Sequence, residues 1–219
     1  MSEGLLTIWS LRAEVLQAFG STILLTLVGG LCALLAGLLL ALMAMSRRRA
    51  LQRAVTVYID TMRCVPFLLF VYLLYFGLPT LGFRMSNWQA GALAILMYHS
   101  AYMAEVLRAS IQQLPGDIVE AACSFGYQGW ALARRIVIPP ALLRSIPLVG
   151  NQFVQILKDT ALLTVIAVTE LTHALTGIQS THFIPLAAYL TAVLLYWALC
   201  VTIELTANRL ELLARKRRA

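Results

Sequence analysis

The sequence predicts an all-α membrane domain of five transmembrane helices. Three observations carry that prediction. Of 219 residues, 60% are hydrophobic and 12% charged, with a mean hydropathy of +0.81, whereas a soluble domain carries about 25% charged residues. The apolar residues fall in runs long enough for roughly 30 Å of hydrocarbon. The Arg and Lys residues sit in short clusters beside those runs, on alternate loops.

A net charge of +7 arranged this way marks the inner face of a membrane, not a nucleic-acid surface. Cys32, Cys64, Cys123 and Cys200 are far apart, show no metal spacing and are expected to be small buried hydrophobes. No metal site is expected, and His173 and His182 read as loop histidines.

Taken in order, residues 1–20 carry Trp9 and mixed charge and read as an interfacial lead without signal-peptide character. Residues 21–45 are free of charge and form the first span. Ala33, Gly37 and Ala41 repeat every fourth position there, a spacing that lets another helix approach closely. The second span covers residues 57–78, with Asp60 and Arg63 placed to pair on one helix face and Pro66 expected to kink it. The third covers residues 88–107. Tyr98, Tyr102 and Glu105 share a face in it, open either to a cationic substrate or to a Glu105–Arg108 pair.

Residues 109–148 are too polar and proline-rich to cross. They are expected to form a loop with a helix near 116–130, capped by Asp117, and to end at Pro139 and Pro140. The fourth span, 149–171, carries Asn151, Gln152, Gln155, Lys158 and Asp159. Charged groups inside a span face protein or water. Asn151, Gln155, Lys158 and Asp159 are therefore candidates for a translocation path, with Tyr98, Tyr102 and Glu105 opposite. A structural ion pair of Lys158 or Asp159 with Glu105 or Arg63 is the alternative. The fifth span covers residues 186–205; Glu170 and Glu204 near span ends read as interfacial. Bases cluster at residues 47–53, in the 109–148 loop and at 215–218, which puts the N-terminus outside and the C-terminus inside.

The long inner loop holds Glu120, Ala121, Ala122, Gly126, Ile136 and Pro139, in the spacing E-A-A-x3-G-x9-I-x-I-P. With Ala101–Ala122, Asn151–Thr172 and Met62–Pro79, this pattern resembles the membrane permeases of bacterial ABC uptake systems for polar amino acids and opines. Cys64 and Val65 stand where that family has Gly-Thr, and Ile138 where Leu is commoner. The resemblance implies a coupling loop at Glu120, Ala121, Ala122 and Gly126, gripped by two cytoplasmic ATPase subunits that hold ATP and Mg. It also implies a second permease subunit, a periplasmic amino acid-binding protein and an inner-membrane location. The chain has no G-x-x-x-x-G-K-S/T loop, so the nucleotide site is expected on a partner and this chain is not an enzyme. A channel or secondary transporter working without an ATPase is the alternative class; the internal repeats common in such carriers are absent.

Overall fold

The computed structural model describes residues 2–46 and 48–216. Arg47 and part of the basic tail, residues 217–219, lie outside the described residues. The helices are α1 (Ser2–Ser10), α2 (Arg12–Ala44), α3 (Arg49–Cys64), α4 (Phe67–Thr80), α5 (Asn87–Gln112), α6 (Gly116–Ser124), α7 (Gly129–Leu132), α8 (Ile138–Thr160), α9 (Leu171–His182) and α10 (Pro185–Lys216). No strand occurs among the described residues. Three helices, α2, α5 and α10, are long and apolar enough to cross a membrane, and the spans number up to five if each of two bent pairs counts as one.

The centre of the bundle is α5. Its N-terminus is fixed by a capping box: Ser86 accepts from the Gln89 amide, and the Gln89 side chain accepts from the Ser86 amide. The small-residue stripe of α2 lies against it. Ala33 and Ala41 are fully buried, and a Cβ on Gly37 would stand 2.5 Å from Met103 Cβ and 2.9 Å from the Ala104 amide nitrogen. The expected close approach is therefore between these two helices. α2 itself is longer than expected, beginning at Arg12, so the lead is short and helical.

The second span is two helices, not one kinked rod. α3 and α4 meet at 108°. Val65 and Pro66 both take extended backbone; Val65 does so because a residue before proline is driven out of the α region. Irregular backbone at membrane depth survives only where protein satisfies it or a cavity hydrates it. Here α5 does so. Tyr98 donates to the Val65 carbonyl at 3.0 Å, Tyr102 to the Arg63 carbonyl at 3.3 Å, and Tyr58 of α3 to the Met97 carbonyl at 2.7 Å.

The fourth span also differs. Pro139 and Pro140 do not close the preceding helix; they stand in the first turn of α8, which follows it without a break. The run from α7 into α8 stays helical through a π turn, Ala133–Val137, in which the Ile138 amide reaches back to Ala133. α8 ends at Thr160, a 3-10 turn covers Ala161–Ile166, and the chain bends by 49° through Ala167 (φ 56°) into α9. Residues 171–182, expected as the end of a span and a loop, are this helix. Glu170 is not interfacial. It is fully buried and caps α9, accepting from the Thr172 and His173 amides at 2.8 and 2.7 Å and from the Tyr196 hydroxyl at 2.8 Å. Thr22 of α2 accepts the Leu171 amide at 3.0 Å. His173 lies in the first turn of α9 and His182 at its end. No cluster able to hold a metal occurs among the described residues.

Candidate functional site

The polar face of α8 meets the aromatic face of α5 around a cavity of about 580 Å³. Asn151, Gln155 and Asp159 line it from α8, Tyr98, His99 and Tyr102 from α5, and Pro66 and Phe67 from the α3–α4 joint. These positions share faces because residues four apart on a helix point the same way. Asp159 is buried, and its Oδ1 accepts from Gln155 Nε2 at 3.2 Å. Its Oδ2 lies 3.3 Å from His99 Nε2, and His99 Nδ1 lies 2.9 Å from Gln152 Nε2. The wall thus combines one carboxylate with amides and ring edges.

The predicted path residues do not all gather here. Lys158 is exposed and lies outside the lining of the cavity, one residue round the helix from Asp159. Glu105 is separated from the tyrosines. It accepts two hydrogen bonds from Arg108, at 2.9 and 2.6 Å, and lies 3.7 Å from Arg63. Arg63 is therefore paired with Glu105 rather than Asp60. This network borders a second polar cavity of about 610 Å³ that also contains Asp60. Tyr98 and Tyr102 line the first cavity, with their hydroxyls 3.3 Å apart.

The segment that carries the E-A-A-x3-G pattern sits apart from both cavities. α6 ends in a Schellman motif: the Gly126 amide donates to the Cys123 carbonyl at 2.9 Å, and the Tyr127 amide to the Ala122 carbonyl at 3.0 Å. Gly126 has φ 84°, a conformation that favours glycine. A Cβ there would meet no atom of this chain within 4 Å, so within the chain Gly126 serves the bend. Pro115, not Asp117, holds the N-cap position, and no side chain caps the helix. Ala122 is buried against the chain itself, while Glu120, Ala121 and Pro139 are exposed and Ile136 is half-buried. Ile118, Phe125 and Trp130 present apolar side chains around them. Cys32, Cys64 and Cys123 are exposed rather than buried, and all four cysteines are free.

Residues 33–216 match the family described as the binding-protein-dependent transport system inner membrane component. The chain belongs to this family. The permease is 31% identical over 196 residues to a probable glutamine ABC transporter permease protein, GlnM, of Bacillus subtilis (strain 168), covering 90% of this chain and 91% of that one. It is 36% identical over 196 residues to the octopine transport system permease protein OccQ of Rhizobium radiobacter, covering 84% and 82%. Among solved structures it superposes on an amino acid ABC transporter with histidines, at TM-score 0.88 and 29% identity over 98% of each chain. It shares its fold with the methionine ABC transporter MetNI in an inward-facing conformation, at TM-score 0.78 and 17% identity over 94% and 98%.

Sequence reasoning passed over His99 and Gln152 as site residues. The available signal was a polar residue in an otherwise charge-free stretch of α5, which at membrane depth needs a partner. Its partners lie 53 and 60 positions further on, and only the packing of α5 on α8 brings them together.

Proposed function

We propose that this permease is the membrane-spanning subunit of an ATP-driven importer that carries a polar or charged amino acid, or a related compound such as an opine, across the bacterial inner membrane. The observation that carries the reading is near-full-length similarity to glutamine and octopine permeases. The α5–α8 cavity is the translocation path, with Asn151, Gln155, Asp159, Tyr98 and Tyr102 on it. A second permease subunit completes the pore. Two ATPase subunits, holding ATP and Mg, dock on residues 109–148 through Glu120, Ala121, Ala122 and Gly126. A periplasmic binding protein delivers the cargo. The N-terminus faces outward and the C-terminus inward, as the basic clusters favour.

The test is reconstitution of the permease with its co-purifying subunits in vesicles and measurement of labelled amino acid uptake with and without ATP. Uptake that needs ATP and binding protein is expected. Uptake driven by an ion gradient alone, with no ATPase in the complex, overturns the reading in favour of a self-sufficient carrier.

A further inference from the structure

The path as described gives His99 no task. Its side chain has no exposed surface. Phe67, Tyr98 and Tyr102 surround the ring, with centroids 5.6, 5.4 and 6.4 Å away. Gln152 fixes Nδ1 at 2.9 Å. Nε2 is 3.3 Å from Asp159 Oδ2, near enough for attraction but too poorly aligned for a hydrogen bond, and it has no other partner.

The surroundings select the tautomer. A lone pair on Nε2 would face a carboxylate oxygen and be repelled, whereas an N–H there is attracted. With the Gln152 amide donating to Nδ1, the ring carries its proton on Nε2. A buried donor without an acceptor is costly, and the packed rings leave His99 no room to turn away. Asp159 is the partner that adjusts, held on its other oxygen by Gln155 at the cavity mouth.

We infer that His99 is a positioning residue for Asp159. Its Nε2–H, held by ring packing and Gln152, aims the carboxylate into the cavity to receive the ammonium group that amino acids share. Orientation supplied in advance spares the cargo the cost of ordering the acceptor. The inference rests on the reading that this cavity lies on the cargo path.

The test compares His99→Gln and His99→Asn in the reconstituted complex, with tritiated L-glutamine and L-arginine as probes. A Gln amide reaches the level of Nε2 and keeps the donor to Asp159. An Asn amide stops near Nδ1 and loses it. His99→Asn is expected to raise KM about tenfold, the loss of a donor that faces a charged group, with the maximal rate unchanged; His99→Gln is expected to stay within about twofold of native. Equal KM in the two variants, or a native KM in His99→Asn, overturns the positioning role, because a packing role does not depend on where the donor sits. If His99→Asn does not assemble, His99→Gln decides: a tenfold rise in its KM overturns the role, and near-native KM supports it. Asp159→Asn separates the two levels. An unchanged KM there removes the path reading itself. A raised KM there with native KM in His99→Asn removes only the role of His99.

Discussion

Gly126→Ala isolates what the bend after α6 is worth. The residue sits at φ 84° with no atom within 4 Å of an added Cβ. The methyl group therefore brings backbone strain and no clash. An L-residue in the left-handed region costs about 1–2 kcal/mol, or roughly a 5- to 30-fold shift in the local opening equilibrium. The motif's two hydrogen bonds report that opening, because the Gly126 and Tyr127 amides donate to Cys123 and Ala122. Hydrogen exchange of these amides is expected to accelerate about 5- to 30-fold in Gly126→Ala, while Gly126→Asn, which tolerates this region better, stays within about threefold of native. Native exchange in Gly126→Ala, or equal acceleration in both variants, would refute the strain argument.

Three further outcomes are expected. Gly37→Val drives side-chain atoms into Met103 and the α5 backbone at Ala104; overpacking of about 1–3 kcal/mol should lower the thermal midpoint of the purified permease, and an unchanged midpoint would contradict the close α2–α5 approach. Glu170→Ala removes the acceptor of two amides and the Tyr196 hydroxyl, so about 2–3 kcal/mol should be lost and limited proteolysis should cut first around α9, with Tyr196→Phe costing only about 1 kcal/mol. Tyr98→Phe and Tyr102→Phe each strip a carbonyl at the α3–α4 joint of its donor; because the two hydroxyls also lie 3.3 Å apart, a double-mutant cycle on thermal stability should show about 0.5 kcal/mol or more of non-additivity.

Much of this architecture can be read from composition and spacing. The charge-free run after Ser21 and the stripe Ala33, Gly37, Ala41 announce a close-packed helix, and Pro66 announces an interruption. A proline stops a helix without saying where the next one points. The 108° turn depends on hydroxyls from Tyr98 and Tyr102, which sit more than thirty residues later. Pro139 and Pro140 mislead for a related reason: proline is excluded from a helix interior but accepted in the first turn, so the same pair marks an end or a beginning. Glu170 near a span boundary looks interfacial until three donors converge on it. At the site, Asp159 and Gln155 are recoverable from helical spacing. Lys158 is not distinguished from them by charge, only by a turn of about 100° around the helix axis. His99 needs a tertiary partner to acquire meaning.

The π turn before α8 has a mechanical consequence. From Gly129 to Thr160 the backbone is helical without a gap, so Trp130 near the surface segment and Asp159 in the cavity wall ride on one shaft roughly 40 Å long. Pro139, Pro140, Pro147 and the π turn are the places along that shaft where it can bend. The chain's sharper turns lie elsewhere, at Val65 and Pro66 and at Ala167.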